Sequence, residues 1–164
     1  MNRQKLTLLT LTAMVAAICA VGAVIKVPSP VTSSALDSAP AFLSVVFLPP
    51  VFAGIAGMIG HLVSAFSTGF LFGPLHIIIA VEMFLVVWIF GVMHKKGMHV
   101  LKWPVALLLN GVVAPIPFYF LISAEFYWGA IVGLSVTTFV NLVIVAVVMP
   151  VLSKAFFRKE GRLY

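Results

Sequence analysis

The chain has 164 residues, of which 63% are hydrophobic and only 9% charged, and its mean hydropathy is +1.22. A water-exposed shell usually draws on roughly 25% charged residues, so the composition excludes a soluble globular domain and predicts an all-α integral membrane protein of one domain. The net charge of +6 does not mark a nucleic-acid binder, because the basic residues sit in short segments between apolar runs, the pattern that orients membrane helices.

Charge-free runs fall at about 6–25, 39–48, 51–67, 74–93, 103–123 and 128–152. Arg3 and Lys5 precede the first run. Small residues near Ala20 and Ala23 could imitate a signal cleavage site. However, a run of about 20 residues spans ~30 Å of hydrocarbon and exceeds a usual signal core. Ile18 before Cys19 also suits lipoprotein processing poorly, so an uncleaved first span is expected. The lone cysteine, Cys19, permits no disulfide framework and no cysteine metal site. Two small-xxx-small pairs, Ala13/Ala17 and Ala16/Ala20, suit either internal packing or docking to another membrane protein.

The second run is too short to cross alone at ~1.5 Å per residue, unless it is tilted or partly covered by protein. Pro49 and Pro50 separate it from the third, and neither can donate a backbone hydrogen bond. Six spans with a cytoplasmic N-terminus place Arg3, Lys5, Lys95, Lys96, Lys102, Lys154, Arg158, Lys159 and Arg162 inside and only Lys26 outside. A five-span alternative, with the second and third runs fused and the N-terminus outside, leaves eight basic residues inside and two outside. Six spans with both termini cytoplasmic satisfy the positive-inside rule better. The outer loops are then 25–40, 67–73 and 123–129, carrying Asp37 and Glu125.

In the third run His61, Ser64 and Thr68 follow helical spacing, with Gly57 continuing the face. Gly54, Gly57 and Gly60 predict close helix packing, and a hydrogen-bonded core role competes with a binding role for His61. Glu82 lies in the fourth run, roughly 12 Å below its outer end by helical rise. A charge there costs at least ~3 kcal/mol, so Glu82 is expected to face the bundle interior, lining a pocket or hydrogen-bonded to a neighbour. His76, near the mouth, is turned about 120° from Glu82. It could line the same wide pocket or anchor the interface, but the two would not ligate one metal as a simple helical pair.

Asn110 and Asn141 predict interhelical hydrogen bonds. Phe126, Tyr127 and Trp128 fit an interfacial belt or a platform for a flat ring. No HExxH, GxSxG, Walker A loop or helical carboxylate pair is present. Neither an enzyme nor ATP hydrolysis on this chain is therefore expected.

The segments VGAVIKVPSP, ALDSAPAFL and GIAGMIGHLVSAFSTGFLFGPLH, the alanine-rich first run and the basic tail resemble the substrate-binding S-components of energy-coupling factor (ECF) transporters over nearly the whole chain. ALDSAP and GPLHIIIAVEM look most like the branch assigned to α-ribazole, a cobalamin precursor. The resemblance implies six helices in a bacterial plasma membrane and a vitamin pocket near the outer face. It also implies ATP hydrolysed by two partner subunits, and a shared transmembrane coupling subunit docked on Ala13, Ala16, Ala17 and Ala20. On this reading Asp37, His61, His76, Glu82, Phe126, Tyr127 and Trp128 serve substrate. Carboxylates accept hydrogen bonds from ribose hydroxyls, and aromatics stack on a benzimidazole. Other readings are another vitamin, a divalent metal at His61, His76 and Glu82, or a membrane scaffold that binds no solute.

Overall fold

The computed structural model describes residues 2–28, 35–67 and 69–160, with side chains placed through Phe156. Thr68, Arg162 and the side chains of Arg158 and Lys159, used above for helix face and charge count, lie outside the described residues. Among those described, the regular elements are helices: α1 (Arg3–Gly22), α2 (Ala39–Ser44), α3 (Pro50–Ser67), α4 (His76–Lys95), α5 (Lys102–Leu108), α6 (Ile116–Leu121) and α7 (Ala124–Glu160). Five helical stretches, Arg3–Gly22, Pro50–Ser67, Gly73–Lys95, Lys102–Leu121 and Ala124–Phe156, are long and apolar enough to cross a membrane. Their outward surface carries Phe66, Phe120, Val132 and Val147. Such a surface suits lipid and would aggregate in water.

Several boundaries differ from the sequence expectation. α1 begins at Arg3, where the Asn2 side chain accepts from the Gln4 backbone N–H, and it stops at Gly22 rather than Ile25. Past that point Ile25 accepts a hydrogen bond from the Leu36 N–H at 3.1 Å, which folds the chain back. α2 covers only Ala39–Ser44 of the apolar run 39–48. The Ser44 hydroxyl donates to the Ala41 carbonyl at 2.7 Å, and turns lead from there to Pro49. Pro50 opens α3, where a helix has no use for the missing N–H.

The last helix starts at Ala124, not near residue 128. Ser123 caps it by accepting from the Phe126 N–H at 3.1 Å, the usual role of serine at that position. Phe126, Tyr127 and Trp128 therefore occupy the first turns of a helix and not a loop.

α2 survives its shortness because protein surrounds it. Ala41 and Phe42 are fully buried, and Val45 and Leu48 are 1% exposed. Irregular backbone at membrane depth is tolerated where protein covers it.

The contacts fix how the helices run. α3 and α4 are antiparallel, since Gly54 faces Phe84 and His61 faces His76. A Cβ on Gly54 would come within 2.8 Å of the Phe84 ring, so only glycine permits this approach. α7 runs antiparallel to α5 and α6: Lys102 meets Met149, Asn110 meets Thr138 and Phe118 meets Phe126. Residues 35–49 descend beside α7, from Ala39 against Asn141 to Phe47 stacked on Phe156 at 4.9 Å. Gly22 at the end of α1 meets Leu36 and Asp37, while Leu8 and Leu11 reach back into the core.

One end of the bundle thus gathers Lys95, Lys96, Lys102 and Lys154. The other gathers Lys26, Asp37, Glu125 and the first turns of α4 and α7.

Candidate functional site: a cavity opposite the basic end

At the acidic end the helices part around a cavity of about 80 Å³, room for several waters or a compact ring. Five elements meet there. The segment before α2 supplies Asp37 and Ser38, α3 supplies His61, and α4 supplies Glu82. The interrupted α5–α6 stretch and α7 supply Asn110, Phe118, Phe126 and Thr138. Phe72 closes the list of aromatics, its ring meeting Phe126 edge-on at 5.5 Å.

Asp37 owes its place to Asn141, a side chain with no exposure. Asn141 Oδ1 accepts from the Ala39 N–H at 2.9 Å. Its Nδ2 donates to the Ala35 carbonyl at 3.1 Å and to the Thr137 carbonyl at 2.9 Å. One asparagine on α7 therefore pins both flanks of Asp37. Burial pushes the Asp37 carboxyl up to about 6. Backbone hydrogen bonds at Asp37 and Ser38 and the charge of Lys26 limit the rise.

A directed chain of imidazoles leads away from Asp37. The Phe72 backbone N–H donates to His76 Nε2 at 3.4 Å, so a neutral His76 carries its proton on Nδ1. That Nδ1 stands 3.2 Å from His61 Nε2, which must then accept. His61 in turn presents Nδ1–H toward Asp37 Oδ2 at 4.0 Å, an electrostatic approach longer than a hydrogen bond. His61 lines the cavity, whereas His76 is buried behind it. The proposed roles of these two residues therefore divide between cavity wall and support.

Glu82 faces the cavity half-buried, and among the described residues no hydrogen-bond partner is placed for it. Asn110 lies in a π-helical turn, Leu109–Val113, the kind of local widening often found at sites. Its Nδ2 donates to Thr138 Oγ1 at 2.8 Å.

The aromatic trio splits. Phe126 lines the cavity, Tyr127 packs edge-on against Tyr119 at 5.6 Å, and Trp128 is 63% exposed. The alanine stripe on α1 splits too. Ala16 is buried, and a Cβ on Gly60 would run into Cys19 and approach the Ala16 carbonyl. Ala20 is half-buried, while Ala13 and Ala17 point outward.

Sequence reasoning did not single out Ser38, Phe72, Phe118, Thr137 or Thr138 as lining. Hydroxyls and phenylalanines in apolar helices carry no mark of which face they take. Asn141 was expected to hydrogen-bond between helices, but its long-range partner segment was not foreseeable.

Among the described residues no three His, Cys, Asp or Glu side chains gather closely enough to hold a metal ion. No protein family, curated protein or solved structure matches the chain.

Proposed function

We propose that the chain is the solute-binding S-component of an ECF-type importer, crossing the bacterial plasma membrane six times with both termini in the cytoplasm. Residues 39–48 supply the short second crossing. Basic residues favour the cytoplasmic side, so the cavity opposite them opens outward.

The observation that carries this reading is a cavity among apolar helices that holds unsatisfied acceptor capacity at Glu82 beside Asp37 and Asn110. Intramembrane carboxylates facing a cavity mark solute pathways more often than scaffolds. Phe72, Phe118 and Phe126 offer edges and faces for a ring, and the carboxylates accept from hydroxyls. This chemistry suits a neutral or weakly basic ring-bearing vitamin precursor, with α-ribazole the leading candidate. A nucleoside exceeds the closed cavity, so binding parts the Phe72–Phe126 contact. Uptake then depends on a transmembrane coupling subunit and two ATPase subunits, for which the outward Ala13 and Ala17 offer a flat docking face.

Mass spectrometry of small molecules co-purifying with the protein tests the assignment. A benzimidazole nucleoside lost in Glu82→Ala, with membrane insertion intact, is the expected result. Saturating uptake by this chain alone in ATP-depleted vesicles would reject it.

A further inference from the structure

A second cavity lies at the opposite, basic end of the bundle. Its volume is about 540 Å³, within the range of sites that bury sizeable ligands. It opens between the turn after α2, the α4–α5 connection and the lower part of α7. Lys95, Lys102, His94, His99 and Ser153 supply its polar wall, and among the described residues no aspartate or glutamate lines it. The remaining wall is apolar, with Val45, Trp103 and Met149.

Lys102 is only 3% exposed. Its Nζ lies 2.8 Å from His94 Nδ1 and 3.2 Å from Met149 Sδ. It also sits 5.0 Å above the Phe90 ring and 4.7 Å above that of Trp103. Each partner solvates the ammonium, yet none carries the negative charge that a buried cation normally requires. Because Lys102 donates to His94 Nδ1, the neutral His94 keeps its proton on Nε2 as a further donor. The site is thus built around an amine that no described acidic side chain neutralises.

We propose that this cavity holds the headgroup of an anionic phospholipid, with its phosphate against Lys102 and Lys95 and its acyl chain along the apolar wall. Basic pockets between membrane helices characteristically take such headgroups. A free phosphate would occupy only the polar part of a cavity whose remaining wall is apolar. Val147 and Val151, both 69% exposed, continue the apolar track along α7 toward surrounding lipid. The inference is independent of which solute fills the other cavity.

Native mass spectrometry of the full chain, with phosphatidylglycerol and phosphatidylcholine of equal chain length, tests the proposal alongside thermal shifts with the same lipids and with inorganic phosphate. Roughly tenfold preference for phosphatidylglycerol is expected, corresponding to about 1.4 kcal/mol. Lys95→Gln, at an exposed position, should cut that preference several-fold. Lys96→Gln, which does not line the cavity, should leave it unchanged, and Lys102→Gln should abolish it. If Lys102→Gln fails to fold, the Lys95 and Lys96 pair still decides. Equal retention of the two lipids overturns the proposal. So does an equal effect of Lys95→Gln and Lys96→Gln, and so does inorganic phosphate stabilising as strongly as phosphatidylglycerol.

Discussion

His76 Nδ1 and His61 Nε2 face each other at 3.2 Å, and the backbone N–H of Phe72 fixes which of them gives the proton. The pair ties the loop before α4 to a cavity residue on α3. Replacing His76 with Phe leaves the Phe72 N–H without its acceptor and His61 Nε2 without its donor. Thermal unfolding in detergent should show a loss of about 1–3 kcal/mol. His76→Gln, which retains a donor and an acceptor, should lose less.

Asp37 yields a prediction with a definite sign. Its carboxyl is raised from 3.8 to about 6 in the folded protein, so the folded state holds this proton more tightly than the unfolded chain. The group's contribution is fully present below the lower value and is lost as pH rises through the upper one. Asp37→Asn removes that loss. The variant should melt higher than the parent at about pH 7.5 and near it at about pH 4, while binding solute more weakly. Scanning fluorimetry across pH and ligand retention check the two halves separately.

Asn141 makes three hydrogen bonds from a fully buried position. Asn141→Leu keeps the branching at Cγ but strands the Ala39 N–H and the Ala35 carbonyl. A destabilisation of about 2–4 kcal/mol is expected from two unsatisfied buried groups. Because those groups flank Asp37, solute binding should fall even at temperatures where the variant stays folded. Unchanged affinity in folded Asn141→Leu would show that Asp37 needs no such support.

Gly60 tests the α1–α3 seam. A methyl there meets Cys19 Cβ, so Gly60→Ala should cost about 1–3 kcal/mol by overpacking. Cys19→Gly should restore much of the loss in the double variant, and Cys19→Ala should not, because it keeps the offending carbon. Melting temperatures of the four proteins decide between these outcomes.

The long helices were legible because each rests on a local signal: apolar length for α1, α3 and α4, and the glycine spacing that lets α3 lie close to α4. Pro49 and Pro50 correctly marked a break. What escaped depended on partners distant in the chain. Asn141 reaches back 102 residues to Ala39, and no periodicity in either segment announces that pairing. The start of α7 was within reach, since Ser123 followed by Ala124 and Glu125 is a recognisable helix opening, but the charge of Glu125 kept these residues out of the apolar run. His61 and Glu82 stood out because polarity amid hydrocarbon is conspicuous, and Asp37 because it is an acid in an outer loop. Thr137 and Thr138 did not, because hydroxyls satisfied within a helix cost little and carry no such signature. Thr137 does bond the Gly133 carbonyl at 2.8 Å in this way.

Residues 35–49 form a wall of both chambers. Ala35, Asp37 and Ser38 border one, and Val45 and Val46 border the other. The stretch between them includes Ala41, Phe42 and Ser44, all without exposure, and interiors packed this tightly transmit displacement instead of absorbing it. The two vessels therefore share a party wall, and the middle of that wall is sealed from both by protein on every side.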